Sequence, residues 1–184
     1  MTDAPRSCFD RPAFTSRVVP VIVLTDAAQA VPLAHALLEG GVDVMEITLR
    51  HDSALAAIEA VARALPQMHV GAGTVTRVAD VQRVIDAGAS FALSPGCTEA
   101  LVQAVRAARL PFMPGVMTPS EVLVAREHGF TLMKLFPAAQ AGGLAMIIAG
   151  AVTRTKVAIY AKNNLQINPL TLNGGSGIVV GGRF

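Results

Sequence analysis

Short apolar runs recur along the chain, separated by longer stretches in which apolar residues return every three or four positions. The runs begin at Val18 (VVPVIVL), Val42 (VDVMEITL), Met68 (MHVGAGTV), Ser90 (SFALSP), Pro111 (PFMPGV) and Thr131 (TLMKLF), with successive starts 20 to 26 residues apart. They have the length and β-branched content of strands. Between them DAAQAVPLAHALLEG, DSALAAIEAVARAL and TRVADVQRVIDAG read as helices. Asp26, Asp52 or Ser53, Thr76, Thr98 and Thr118 stand where N-caps belong, and Gly40, Gly88 and Gly129 stand where helices close. Thr118-Pro119-Ser120-Glu121 spells a capping box with proline at the first helical position.

Six strand–helix units in series predict a parallel sheet with right-handed crossovers. An open doubly wound sheet and a closed eightfold barrel both accommodate that order. The barrel is favoured because VVPVIVL runs straight into TDAAQA, without the glycine-rich turn of a dinucleotide site. The expected fold is therefore α/β, a (β/α)8 TIM barrel with an irregular or incomplete C-terminal end, in one domain over residues 1–184. Residues 1–17 are expected to form a helical lead-in. Two more strands are needed, and KVAIYA (156–161) and GIVVGG (177–182) are the candidates, in a divergent tail over 150–184.

Composition narrows the function classes. Hydrophobic residues make up 52% of the 184 positions and charged residues 15%, enough for a core and unlike a disordered chain. The net charge of +2 is scattered and aromatics total 4%, which argues against a nucleic-acid surface. The longest apolar stretch, AGGLAMIIAGAV, has twelve residues, short of the roughly twenty a spanning helix needs. The first seventeen residues mix both charge signs and make a poor secretion signal. Cys8 and Cys97 lie far apart, as in a reduced cytosolic protein. No H-x-H, H-E-x-x-H or carboxylate cluster suggests a metal, and no cofactor is expected.

One strand carries an anomaly. The chain has three lysines against twelve arginines, and one of them, Lys134, stands inside the apolar run LMKLFPAA. A buried ammonium without a partner tends to shed its proton, and the free amine is a nucleophile. Alternation sends Leu132, Lys134 and Phe136 to one face and Met133 and Leu135 to the other. On VDVMEITLR the same rule groups Val44, Glu46, Thr48 and Arg50, opposite Met45, Ile47 and Leu49. On VGAGTV, Ala72 and Thr74 share a face. Glu46, Arg50, Thr74 and Lys134 are thus expected to converge in the barrel interior at strand C-terminal ends, where barrel enzymes keep their chemistry. Gly71, Gly73 and Gly115 are expected to leave room for a ligand. The plainer alternatives are a Lys134 that snorkels or pairs with a carboxylate, a structural Glu46–Arg50 ion pair and a Thr74 that serves only as a strand former. His51 reads as a loop residue, His35 and His128 as helical, and His69 as lying at the wrong end of its strand.

The ordered motifs VVPVIV, GGVDVMEITLR, GAGTV, ALSPG, PFMPGV and MKLFPA resemble the 2-keto-3-deoxy-6-phosphogluconate (KDPG) aldolases, also called 4-hydroxy-2-oxoglutarate (KHG) aldolases, over residues 18–143. The resemblance implies a metal-free class I aldolase on a (β/α)8 barrel that assembles as a homotrimer. It implies Lys134 as the imine-forming lysine and Glu46 as the acid/base carboxylate. It implies Arg50 and Thr74 as the holders of the pyruvate carboxylate, with Pro95 and Phe136 lining the pocket. After Gly143 the pattern departs. Similar enzymes cradle the substrate phosphate with Pro-Thr-Gly-Gly and Gly-Gly-Ser turns, and the nearest counterparts are Gly174 and Gly175 in NGGS, with Gly181-Gly182-Arg183 beyond. The rival readings are an aldolase for the galactonate isomer, an impaired oligomeric barrel that has lost its phosphate site, and a metal-dependent aldolase.

Overall fold

Strand and helix alternate from Val21 to Leu135. The computed structural model describes residues 7–9, 12–138 and 140, and the backbone of 166–172 and 175–181. Strands β1 (Val21–Ile22), β2 (Val44–Thr48), β3 (His69–Gly73), β4 (Phe91–Leu93) and β5 (Phe112–Met113) lie side by side in sequence order, all parallel. β6 (Gly115–Val116) resumes the fifth strand after Pro114, which has no N–H to give, and pairs in parallel with β7 (Lys134–Leu135). Helices α1 (Ala30–Glu39), α2 (Ala54–Ala64), α3 (Val78–Asp86), α4 (Glu99–Ala108) and α5 (Pro119–Glu127) fill the connections.

Local chemistry sets the helix ends. Asp26 accepts from the Ala28 N–H ahead of a 3-10 turn, Thr98 accepts from the Leu101 N–H, and Thr118 and Glu121 cap each other reciprocally. Ser53 opens α2 by position only, because its hydroxyl donates to the Leu24 carbonyl at 2.7 Å. The cap expected at Thr76 falls one residue later, at Arg77, whose guanidinium makes a two-pronged pair with the buried Asp80. The left-handed exits sit on Gly88 (φ 87°), Gly129 (φ 95°) and Gly41 (φ 78°), whereas Gly40 keeps a negative φ.

The two faces of the strands build two apolar clusters. Met45, Ile47, Val70 and Phe112 pack with Ile58, Val84 and Val105 of the helices, while Val44, Phe91, Leu93 and Met113 pack together with Phe14 and Leu132. Met45 and Ile47 thus face the helical layer and Val44 faces inward, as the alternation on β2 predicts. Leu132 and Met133 divide between the clusters as expected. Ala72 does not: it packs in the helix-side cluster, and the inward positions of β3 are Gly71 and Gly73, in register with Glu46 and Thr48.

The described part of the lead-in differs from the expected helix. Residues 12–17 carry no helix. The Asp43 carboxylate accepts from the Thr15 N–H and hydroxyl at 2.7 Å each and from the Ser16 N–H at 2.9 Å. These bonds take the N–H groups a helix would need and carry Phe14 onto Phe91, with ring centroids 5.8 Å apart. Phe14 therefore packs into the interior cluster at the end from which the strands start.

The tail also differs. KVAIYA and Gly174 lie outside the described residues. GIVVGG falls largely in β9 (Gly175–Gly181), but β9 pairs antiparallel with β8 (Gln166–Leu172), with Gly175 opposite Leu172. Two strands separated by only two residues can return only antiparallel, since a parallel neighbour needs a crossover of a dozen residues or more. This pair forms its own two-stranded sheet. No helix among the described residues is long and apolar enough to cross a membrane.

Candidate active site

Glu46 sits in the middle of β2 and is fully buried; Lys134 opens β7 and is 6% exposed. The Lys134 Nζ donates to Glu46 Oε1 at 3.0 Å. These strands are not neighbours. In a flat sheet the four strand-to-strand steps between them would hold them about 19 Å apart. Contact between their side chains requires the wall to curl, which is the geometry of a barrel.

Burial raises the pKa of Glu46; the Lys134 charge and hydrogen bond, and then the Arg50 charge, oppose it without cancelling it. Its Oε2 is buried and has no hydrogen-bond partner among the described residues. The Lys134 Nζ lies 5.5 Å from the centroid of the Phe136 ring, itself half-buried. The Phe136 N–H donates to the Val116 carbonyl at 3.0 Å, which fixes the ring's strand end.

Of the four residues expected at strand C-terminal ends, Arg50 and Thr74 follow β2 and β3, whereas Glu46 is mid-strand and Lys134 is the first residue of β7. Register pairs Thr48 with Gly73, so Arg50 and Thr74 leave adjacent strands within two residues of that pair. Arg50 is exposed on a turn, and its charge reaches Glu46. Thr74 is half-buried with φ 61°. A β-branched residue in the left-handed region is strained, and the conformation ends the period-two alternation at Gly73. The face of Thr74 therefore does not follow from that of Ala72. Pro95 follows β4, half-buried, with its backbone against Gly115, the register partner of Lys134.

The space directly beside each of the three inward glycines is close-packed. A Cβ on Gly71 would meet the Phe91 ring at 2.2 Å, one on Gly115 the Pro95 carbonyl carbon at 2.2 Å, and one on Gly73 the Oε1 of Glu46 at 2.0 Å. Neighbouring groups occupy the space each glycine leaves. Sequence reasoning missed that use. The available signal was the i, i+2 pair of glycines on the face that carries Glu46 on the next strand. It also passed over Ser94, which is fully buried with its hydroxyl on the Gly96 carbonyl. Among the described residues no group of three or more His, Cys, Asp or Glu side chains converges.

A buried amine against a buried carboxyl of raised proton affinity can attack a carbonyl and shuttle protons beside it. Comparison with known proteins gives that chemistry a context. The family model for KDPG and KHG aldolase matches residues 11–182. The chain is 43% identical over 144 residues to the KHG/KDPG aldolase of Escherichia coli, covering 77% of this chain and 68% of that one. It is 46% identical over 127 residues to the 2-dehydro-3-deoxy-phosphogluconate aldolase of Dickeya dadantii, covering 69% and 60%. Among solved structures it resembles the KDPG aldolase of Legionella pneumophila, captured with pyruvate as a covalent carbinolamine, at TM-score 0.69 and 41% identity, covering 77% of this chain and 69% of that one. It also resembles the Zymomonas mobilis enzyme with 3-phosphoglycerate, at TM-score 0.70 and 34% identity, covering 80% and 72%.

Proposed function

The chain belongs to the KDPG and KHG aldolase family, and from that premise we propose that it cleaves 2-keto-3-deoxy-6-phosphogluconate to pyruvate and glyceraldehyde 3-phosphate, and 4-hydroxy-2-oxoglutarate to pyruvate and glyoxylate, through an imine on Lys134. It is a class I aldolase, a carbon–carbon lyase on an α/β barrel. The observation that carries the assignment of roles is the buried contact of Lys134 Nζ with Glu46 Oε1 at 3.0 Å.

The Lys134 amine adds to the ketone carbon of the 2-keto acid, giving a carbinolamine that loses water to an iminium ion. That cation withdraws electrons from the C3–C4 bond. Glu46 takes the proton of the C4 hydroxyl as the bond breaks and the aldehyde leaves. The enamine left on Lys134 then regains a proton at C3 from the same carboxyl, and water frees pyruvate. A raised proton affinity suits Glu46 to both steps, since it must accept a proton and give it back. Its Oε2, unpartnered among the described residues, is the acceptor available to the hydroxyl. Arg50 and Thr74, at neighbouring strand ends, hold the substrate carboxylate by charge-assisted hydrogen bonds, while Pro95 and Phe136 line the pocket. The reading includes a cytosolic homotrimer, which light scattering on a sizing column tests.

Borohydride added with pyruvate tests the mechanism. A three-carbon adduct on Lys134, read by peptide mass, is the expected result. An unmodified Lys134 in an enzyme that still turns over would refute the role. Kinetics on the gluconate and galactonate isomers in parallel, with and without chelator, separate the rivals.

A further inference from the structure

We infer that Gly73 is a positioning residue for the reaction: its missing side chain is the space in which the Glu46 carboxyl sits against Lys134. The inference rests on the proton-transfer role proposed for Glu46. A Cβ built on Gly73 meets Glu46 Oε1 at 2.0 Å, Cδ at 2.6 Å and Cγ at 2.7 Å, and these are its three nearest atoms. Real contacts of that kind stay above 3.0 Å, so a methyl group and the present carboxyl cannot coexist. The backbone cannot yield instead. The Gly73 carbonyl accepts the N–H of Leu49, the residue just past β2, at 2.9 Å, and on the other side the Val75 N–H donates to the Leu93 carbonyl at 3.0 Å. The movable partner is the end of the Glu46 side chain, which would swing off the Lys134 Nζ.

Gly71 provides the contrast on the same strand. Its three nearest atoms belong to the Phe91 ring, at 2.2, 2.3 and 2.7 Å. A methyl there disturbs packing in the interior apolar cluster and leaves the carboxyl alone. Two glycines two residues apart, on one face, thus serve different ends.

The test is a set of variants assayed for kcat, KM and borohydride trapping of pyruvate. Gly73→Ala is expected to lower kcat about 100-fold or more, towards the level of Glu46→Gln, with KM within a few-fold and the adduct still formed on Lys134. In the Glu46→Gln background the same methyl is expected to cost less than a further threefold, because the group it displaces is already inert. Glu46→Asp, one methylene shorter, is expected to recover at least tenfold in kcat when placed on Gly73→Ala. Gly71→Ala, corrected for the folded fraction, is expected to keep kcat within a few-fold of the parent. A folded Gly73→Ala within threefold of the parent kcat overturns the inference, as does an equal loss in both Glu46 backgrounds. A Glu46→Gln enzyme with undiminished kcat instead overturns the role of Glu46 itself. If Gly73→Ala does not fold but Gly73→Ala with Glu46→Ala does, the obstruction is the Glu46 side chain and the inference stands. If neither folds, the methyl meets something else and the inference fails.

Discussion

Replacing Lys134 by methionine removes the ammonium while keeping an unbranched chain of similar length, so it isolates the charge. Lys134 is 6% exposed and Glu46 not at all. Breaking a buried pair by deleting one partner costs about 3–5 kcal/mol. For a domain of this size each kcal/mol moves Tm by about 2–4 °C, which puts the loss at about 6–20 °C where Glu46 must stay ionised. Its size depends on pH in a definite direction. Burial already raises the Glu46 pKa, and Lys134 is the larger of the two opposing influences. Without it only Arg50 opposes burial, and the folded-state pKa climbs further. An acid whose pKa is raised on folding adds stability below its unfolded value, about 4.3, and loses it as pH rises through the folded value. The Tm gap between variant and parent is therefore small near pH 4.5 and widens towards pH 8. Differential scanning calorimetry across that range reads it directly, alongside pyruvate release and borohydride trapping, both of which should vanish. A gap of equal size at pH 4.5 and pH 8 would refute the buried pair. Cleavage retained with the adduct on Lys156 or Lys162, the chain's other lysines, would refute the nucleophile.

Arg50→Met should raise KM about 10–100-fold, the worth of one charge-assisted hydrogen bond, with trapping restored at saturating pyruvate; an unchanged KM removes Arg50 from the site. Thr118→Ala dissolves the capping box that joins Thr118 to Glu121 and should lower Tm by about 2–4 °C, the equivalent of about 1 kcal/mol, without altering kcat. Asp43 feels burial pushing its pKa up, but hydrogen bonds from Thr15 and Ser16 outweigh it and hold the value at about 2. A depressed folded pKa gives stability that is complete above the unfolded value and drains away as pH falls towards 2. Asp43→Asn should accordingly flatten the acid limb of the stability curve between about pH 4 and pH 2, which urea titrations at fixed pH would show.

The strand starts, most caps and the two faces of β2 were legible because apolar and polar residues alternate cleanly there and one face is packed under helices. Lys134 and Glu46 stood out for the same reason: each is a charge on a strand otherwise made of core residues. On β3 the signal was absent. Gly71 and Gly73 carry no hydropathy to mark a face, and the left-handed Thr74 breaks the alternation that was used to orient Ala72. The fate of the space beside Gly73 depends on register with a strand 25 residues earlier and on the lean of the Glu46 side chain, which no local pattern encodes. Residues 12–17 misled because their hydrogen-bond partner, Asp43, is remote in sequence. In the tail, the pattern at 177–182 announced a strand but carried no information on its partner or direction.

The hook of Thr15 and Ser16 on Asp43 matters for practical use of the molecule. Asp43 lies just ahead of β2, whereas Arg50 and Thr74 follow the far ends of their strands, so this anchor and the proposed substrate-holding residues occupy opposite poles. Load applied to the chain ahead of Phe14 falls on the Cys8 carbonyl, which accepts the Phe112 N–H at 3.0 Å, and on the bonds to Asp43, at the pole away from Arg50 and Thr74.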